Sequence, residues 1–163
     1  MKTSTEFALQ FSPSEIDALA ARYGAASDDA SLLAGKRIAS GDYSREHLRI
    51  IVNWKSPRRA ALIDDNTDGD IAVALQFAAT LTTPEAMAIA VLTALHGVGI
   101  PMASAVLTAI NPNRYTVLDY RALESLGITN WSETVSFYVA YLEACRALAA
   151  RHETSLRNLD RAL

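Results

Sequence analysis

Apolar residues recur along most of the chain at the three- and four-residue spacing that is typical of an amphipathic α-helix. Clear examples are Ile16, Leu19 and Ala20 in one segment and Leu48 and Ile51 in another. Alanine is abundant along the chain, whereas glycine and proline are few. The pattern therefore predicts an all-α protein, folded as a compact multi-helix bundle.

Capping signals predict where the first helices begin and end. Ser12-Pro13-Ser14-Glu15 matches a capping box with proline at the first helical position, and Gly24 is the expected stop. A second helix is expected from about Ser27 to Ala39, with acids in its first turn and Lys36-Arg37 at its end. Ser44 is the expected N-cap of a third helix.

The rest of the chain continues in the same way. Short helices are expected at about 60–63 and 70–81, a further helix begins at Asp119, and a long apolar stripe begins at Val135. Thr154 is the expected cap of a last helix. No repeat, linker or low-complexity segment interrupts the chain, and 163 residues suit one domain with a proper core. We therefore predict a single helical domain over residues 1–163.

Two apolar helical patterns meet at Leu95-His96-Gly97-Val98-Gly99-Ile100-Pro101. Thr83 is the expected N-cap of the upstream helix, with Pro84 at its first position, and Pro101 restarts a helix that continues to Ile110. Glycine can adopt positive φ and allows close backbone approach, because it has no Cβ. Free amides near the two glycines would lie at a helix N-terminus, where the dipole favours an anion such as phosphate. The stretch is interpreted as a helix-hairpin-helix over about 84–110.

This stretch resembles the helix-hairpin-helix DNA glycosylases of base-excision DNA repair, the superfamily that includes endonuclease III. The resemblance rests on Leu-x-Gly-Val-Gly, on Ala103 four positions after the second glycine, and on Asp119, 20 residues after Gly99. It covers about residues 92–126. It implies that the amides around Gly97, Val98, Gly99 and Ile100 bind a DNA phosphate. It also implies that Asp119 stabilises positive charge on the deoxyribose or helps to activate a water.

The chain departs from the pattern of this family at several positions. Pro101 stands where bifunctional members carry a nucleophilic lysine, so the resemblance implies a hydrolase without β-lyase activity. His96 replaces the proline before Gly-Val-Gly, and Arg121 replaces a histidine that often follows the aspartate. The cysteines of an iron–sulfur cluster are absent, and the chain is short for a complete glycosylase. It would thus be a divergent, short member that needs no cofactor.

The charge distribution is uneven although the formal net charge is only −3. Seven basic and two acidic residues lie between Lys36 and Arg59, and four aspartates follow between Asp64 and Asp70. This segregation fits a DNA-binding face on one side of the molecule. It fits solvated helix faces equally well.

The most unusual local sequence is Asn53-Trp54-Lys55-Ser56-Pro57-Arg58-Arg59. In a functional interpretation, Arg58 and Arg59 contact phosphates, Lys55 is a contact or a catalytic lysine, and Trp54 offers a stacking surface for a base. In a structural interpretation, Trp54 fills the core and the cations lie at a solvated rim. Both interpretations remain open from the sequence.

Two tyrosines flank the candidate catalytic residue Asp119. Tyr115 and Tyr120 are candidates for lining a base pocket, although core packing would also explain them. Asp119 itself has a structural alternative, because an aspartate at a helix start is an ordinary N-cap. A family-type aspartate can have both roles.

Several other site types find no support in the sequence. His47, His96 and His152 are far apart and lack metal-ligand spacing with Cys145 or the acids, so no metal site is expected. The common glycine-rich nucleotide-binding signatures are absent. The N-terminus has no apolar segment of a signal peptide, and no stretch approaches a membrane span. The expected location is cytoplasmic, without membrane contact.

The sequence thus predicts a glycosylase-like domain that binds DNA non-specifically through the hairpin and the Lys55–Arg59 corner. As an enzyme it would hydrolyse the N-glycosidic bond of a damaged or modified base, with Asp119 stabilising the oxocarbenium-like sugar. Two alternatives remain: a non-catalytic DNA-binding module, and a helical protein-interaction or regulatory subunit with a tight interhelical turn.

Overall fold

The computed structural model describes residues 6–163, and helices are the only regular secondary structure in that range. This confirms the predicted all-α fold. Residues 1–5 of the N-terminus, where the sequence shows no apolar segment, lie outside the described residues. The α-helices of the described part are α1 (Ile16–Tyr23), α2 (Asp29–Ala39), α3 (Arg45–Lys55), α4 (Asp68–Ala79), α5 (Glu85–Thr93), α6 (Ile100–Ile110), α7 (Tyr120–Ser125), α8 (Val135–Arg151) and α9 (Leu156–Ala162).

Helix α6 lies at the centre of the molecule. All its residues from Met102 to Ile110 are buried, and it contacts α2, α3, α4 and α5. A helix whose residues are apolar or small on every face can pack against other helices on every face. Gly35 of α2 faces α6 so closely that a Cβ at this position would overlap the backbone carbonyl of Ala109. The two backbones therefore touch at this crossing.

Short 3₁₀ segments shift several helix starts from their expected positions. The carboxylate of Glu15 accepts a hydrogen bond from the Ser12 amide at 3.0 Å, as expected for a capping box. However, the first turn is a 3₁₀ segment over Pro13–Glu15. A second 3₁₀ segment over Ala25–Asp28 delays the start of α2 beyond Ser27. Helix ends often tighten in this way.

Two further expectations about local structure need correction. The segment expected as a short helix at 60–63 is a longer 3₁₀ segment, Pro57–Asp65. Thr83 does not cap α5, because its hydroxyl donates to the carbonyl of Phe77 at 2.8 Å and Pro84 occupies the N-cap position.

The N-terminal arm of the described chain covers the core. The amides of Ala8 and Gln10 donate to the carbonyls of Leu126 and Ser125 at 3.1 and 2.9 Å. The ring of Phe7 lies 5.9 Å from that of Phe137 on α8. One hydrophobic core extends from Ile16 to Ala162. Within residues 6–163, no helix combines the length and the apolar composition that crossing a bilayer requires.

Candidate functional site

The end of helix α3 places Trp54 and Lys55 at a corner of the molecule. The Ser56 amide donates to the carbonyl of Val52 at 2.8 Å, and Pro57 then starts the 3₁₀ segment. Proline disfavours helical conformation in the residue before it, so the α-helix ends at this point. Trp54 packs half-buried against the core, whereas Arg58 and Arg59 are exposed. Trp54 therefore supports the core, as in the structural interpretation, and it also lines a cavity with Lys55 and Asp119.

Asp119 is held by a short extended segment whose backbone is hydrogen-bonded to the core. The hydroxyls of Tyr138 and Tyr141 donate to the carbonyls of Thr116 and Val117 at 3.1 and 2.8 Å. The amide of Leu118, the residue before Asp119, donates to a buried serine hydroxyl on α6 at 2.8 Å. These contacts fix the position of Asp119, because the backbone that leads to it is held by hydrogen bonds.

Asp119 is the N-cap of α7, as one interpretation of the sequence predicted. Its Oδ1 accepts a hydrogen bond from the Ala122 amide at 3.0 Å. Its Oδ2 accepts a hydrogen bond from Lys55 Nζ at 3.3 Å. The two residues are 64 positions apart in the chain, and their side chains are 18% (Lys55) and 38% (Asp119) exposed. The carboxylate thus has a structural partner on one oxygen and a cation on the other.

The Lys55–Asp119 pair lies at the wall of an open cleft. A cavity of about 500 Å³ is lined by this pair and by the aromatic rings of Tyr120 and Trp131. Tyr120 is 59% exposed, and Arg121 Nε donates to its hydroxyl at 3.0 Å. A second cavity adjoins the same pair on the side of Trp54 and Tyr23. The cleft therefore combines a carboxylate, an amine and two aromatic residues, of which Tyr120 is the more exposed.

The hairpin lies close to this cleft. Gly97 has a φ of 81°, and Gly99 is the N-cap of α6. Lys55, Arg59, Gly99 and Pro101 line a common cavity of about 140 Å³. In the described part of the chain, the amides of Gly97, Gly99 and Ile100 donate to no backbone or side-chain acceptor. The expected phosphate contact of Val98 needs correction, because its amide donates to the Leu95 carbonyl at 3.2 Å. The α6 N-terminus thus has free donors beside two cations.

One side of the hairpin faces the chain itself. A Cβ at Gly97 would lie 2.6 Å from Leu62 Cβ in the 3₁₀ segment Pro57–Asp65. Asn66 bonds both backbone groups of His96 in the hairpin: its Oδ1 accepts from the His96 amide at 2.7 Å, and its Nδ2 donates to the His96 carbonyl at 3.0 Å. The need for glycine at position 97 therefore comes from internal packing and from its positive φ.

The structure also brings residues to the cleft that the sequence did not identify as candidates. Glu133 Oε2 would lie 3.4 Å from a Cβ at Gly99, and Glu133 lines two of the cavities. Arg121 and Trp131 line the larger of these. No local signal in the sequence marks Glu133 or Trp131, because their segment comes next to the cleft only in the folded chain.

Tyr115 lies away from the cleft. Only 1% of this residue is exposed, and it lines a separate cavity with Ala78 and Leu81 at the opposite end of the 114–119 segment. Burial raises the pKa of its hydroxyl. Of the two tyrosines proposed for a base pocket, the structure therefore brings only Tyr120 next to Asp119.

Metal-ligating and nucleophilic groups are few near the cleft. Among residues 6–163, no group of three or more His, Cys, Asp or Glu side chains is arranged to bind a metal ion. Cys145 is buried in α8, and burial raises the pKa of its thiol to about 12. The chemistry of the cleft therefore depends on Lys55, Asp119 and the surrounding cations.

Comparisons of the chain with models of protein families, with curated proteins and with solved structures gave no match. The functional interpretation of the cleft thus depends on its own geometry and on the motif resemblance.

Proposed function

We propose that this chain binds DNA non-specifically and hydrolyses the N-glycosidic bond of a damaged or modified base, with Asp119 as the catalytic carboxylate. One observation carries the proposal: Asp119, Lys55 and the N-terminus of α6 come from three distant segments and meet at one group of cavities. A carboxylate beside an anion-binding surface is what cleavage of a DNA glycosidic bond requires.

The DNA-binding part of the proposal rests on donors and charge around the cleft. The free amides at Gly97, Gly99 and Ile100 lie at the positive end of the dipole of α6. Arg58 and Arg59 are exposed next to them. Phosphates would bind across this surface, while Glu133 would oppose them and set an upper limit on affinity.

The catalytic part of the proposal rests on the contents of the larger cavity. A nucleotide flipped out of the duplex would enter between Tyr120 and Trp131, whose ring faces can stack on a base. As the base leaves, positive charge develops on the sugar. The Asp119 carboxylate would stabilise this charge through its own negative charge.

The direct test is an excision assay on oligonucleotides that carry a panel of damaged or modified bases. We expect wild-type protein to leave alkali-labile sites and Asp119→Asn to lose at least about 100-fold in rate, the scale of removing one charge-stabilising group. Asp70→Asn is the matched control, since this exposed acid lies near the start of another helix, α4. Equal excision by wild type and Asp119→Asn would refute the assigned role.

DNA binding has its own test with a matched pair of variants. Replacing both Arg58 and Arg59 by alanine should weaken binding and reduce the slope of log K against log salt by about two. Replacing Lys36 and Arg37, an adjacent pair of exposed cations on α2, should leave binding nearly unchanged. The same loss in both double variants would show that the corner has no special role.

The hairpin is tested best at Gly99. Alanine at Gly97 would collide with Leu62, so that variant tests folding more than phosphate contact. Gly99 has a φ of −89°, which any residue adopts, and a Cβ there would point toward Glu133. Gly99→Ala should therefore fold and lose DNA affinity, whereas unchanged affinity would remove the α6 N-terminus from the interface.

A non-catalytic DNA-binding module is the second candidate, and one observation favours it. Both oxygens of Asp119 already accept hydrogen bonds, one from Ala122 and one from Lys55. An aspartate with both oxygens hydrogen-bonded within the protein can have a structural role alone. This candidate predicts salt-sensitive DNA binding by wild type and Asp119→Asn, with no excision by either.

A protein-interaction subunit is the third candidate. Its specific support is a set of exposed apolar side chains on α4, on α5 and between them, where Val73, Leu81 and Met87 are 65, 74 and 52% exposed. Exposed apolar groups of this size often mark a protein contact. This candidate predicts no DNA binding even at low salt, which separates it from the other two.

A further inference from the structure

We propose that this chain associates with a second copy of itself through α4 and α5, and that Leu81 of each copy enters an apolar cavity of the other. The inference does not depend on the proposed function, because the contact lies away from the cleft. Among residues 6–163, the cavity beside Leu81 shares no lining residue with the three cavities around Lys55 and Asp119.

Large apolar side chains are exposed on α4, near the start of α5 and in the turn between them. Val73 and Phe77 are four positions apart, so they lie on one side of α4. The Thr83 hydroxyl donates to the Phe77 carbonyl at 2.8 Å, which holds the turn that contains Leu81 against the end of α4. Met87 is exposed in the first turn of α5, which packs on α4. A group of exposed apolar side chains of this kind is typical of a contact with another molecule.

This part of the chain carries almost no charge. Charged residues make up 20% of the sequence, but Glu85 is the only Asp, Glu, Lys or Arg between Ile71 and Asn113. Its carboxylate accepts hydrogen bonds from Arg114 at 3.4 Å and from Arg146 at 3.2 Å, so its charge is compensated within the chain. Nucleic acids and anionic lipids are bound largely through lysine and arginine, which disfavours both as the occupant. A second copy suits this surface, because no like charges would meet there.

A cavity opens beside Leu81. It has a volume of about 200 Å³, and its walls include Ala78 and Ala79 of α4 and Ile110 of α6. Arg114 also lines it, but its three guanidinium nitrogens donate to one carboxylate and two backbone carbonyls of the chain. Apolar cavities of about 150 Å³ in other proteins take up apolar guests. The cavity therefore suits an apolar side chain.

Leu81 is a matching guest for this cavity. It lines the cavity and is 74% exposed, so it lies at the mouth and projects beyond it. Each copy thus presents a projecting apolar side chain and an apolar cavity on the same face. In a dimer with twofold symmetry, a surface meets its own copy, so the contact of one Leu81 with the other cavity occurs twice. Both leucines would be removed from water, which favours association.

The oligomeric state of the full-length protein tests this inference. Sedimentation equilibrium over a concentration series should show wild type approaching the mass of two chains. Leu81→Asp should weaken the dimer by at least about 30-fold, the scale of losing an interface residue that fills a pocket. Leu33→Asp is the matched control and should dimerise as wild type does, because Leu33 is an exposed leucine on α2 that does not line the cavity.

A mixing experiment tests the reciprocal contact. Leu81→Ala removes the guest and keeps the cavity, whereas Ala79→Leu fills the cavity and keeps the guest. Each variant alone should dimerise at least about tenfold more weakly than wild type. A labelled sample of one variant should bind the other more tightly than it binds itself, because one leucine again meets one open cavity. Ala21→Leu, at an exposed alanine on α1, is the control for added volume and should dimerise as wild type does.

Thermal unfolding within a few degrees of wild type would show that a change in association does not come from misfolding. Wild type that stays monomeric at its highest soluble concentration would overturn the inference and leave the surface to a different protein. Equal losses in Leu81→Asp and Leu33→Asp, or a mixture that associates no better than the single variants, would also overturn it. The excision assay measures the proposed function independently of these results.

Discussion

Two groups of oppositely charged side chains border the same cleft, and they differ in burial and in connection. One is the Lys55–Asp119 pair, in which the lysine is 18% and the aspartate 38% exposed. The other is a buried ion cluster made by Asp28, Arg157, Asp160 and Arg161, whose carboxylate side chains are 0 and 4% exposed.

The buried ion cluster connects parts of the chain that are distant in sequence. Asp28, just before α2, accepts hydrogen bonds from Arg157 and Arg161 of α9. Asp160 Oδ1 accepts from the hydroxyl of Thr116 at 2.9 Å and from the next amide at 3.1 Å. Burial raises the pKa of Asp160, while Arg157 opposes the shift. The cluster thus holds α9 against the segment that leads to Asp119.

The comparison teaches which charges are available for chemistry. The carboxylates of the buried ion cluster are bonded to arginines and are 0 and 4% exposed, so they offer a ligand almost no surface. Lys55 and Asp119 face open space, and each can change its partner without exposing the core. Burial therefore assigns the buried ion cluster to stability and leaves the Lys55–Asp119 pair accessible to a ligand.

The largest expected effect breaks the buried ion cluster. Asp28→Asn removes the charge that two arginines share, so we expect the free energy of unfolding to fall by about 3–5 kcal/mol. Urea denaturation measures this loss. Lys55→Met is the comparison at the cleft and should cost much less, because water can solvate Asp119. Equal costs for the two variants would show that burial does not separate the groups.

A smaller effect separates the two roles of Asp119. Asp119→Ala removes the N-cap of α7 and should cost about 1 kcal/mol, whereas Asp119→Asn should cost little, since asparagine caps a helix equally well. Thermal unfolding of the two variants measures the difference. If Asp119→Asn destabilised the protein as much as Asp119→Ala, the ion pair with Lys55 would be the stabilising contact. The Lys55–Asp119 pair would then stabilise the fold, as the buried ion cluster does.

The smallest effect concerns a third group, intermediate in exposure. A backbone hydrogen bond at Glu85 and the hydrogen bond from Arg146 lower the pKa of the Glu85 carboxyl. A lowered pKa stabilises the folded state above the ordinary glutamate pKa of about 4.3, and the stabilisation is lost as pH falls through the folded value. Between pH 6 and pH 3, wild type should therefore lose more stability than Glu85→Gln. Urea unfolding at each pH measures this difference. An equal loss in the free energy of unfolding for wild type and Glu85→Gln would contradict the stabilising role of the Glu85 carboxylate.

Local signals were sufficient for the helical fold and for the cap at Asp119. Apolar spacing and capping residues act within about four positions, so they can be read without knowing the partners of a helix. The structure confirms the all-α fold. It also confirms the N-cap role of Asp119, which accepts a hydrogen bond from the amide of Ala122, three positions along the chain. The 3₁₀ segments escaped prediction because their hydrogen bonds differ from those of an α-helix by one position.

The tertiary structure alone decided which distant groups share a site. Lys55 meets Asp119, and Glu133 approaches Gly99, only in the folded chain. The close crossing at Gly35 and the burial of Tyr115 have the same origin. The sequence could nominate Lys55 and Asp119 separately. Their pairing needed the fold, because a contact across 64 positions leaves no periodic or local trace in the chain.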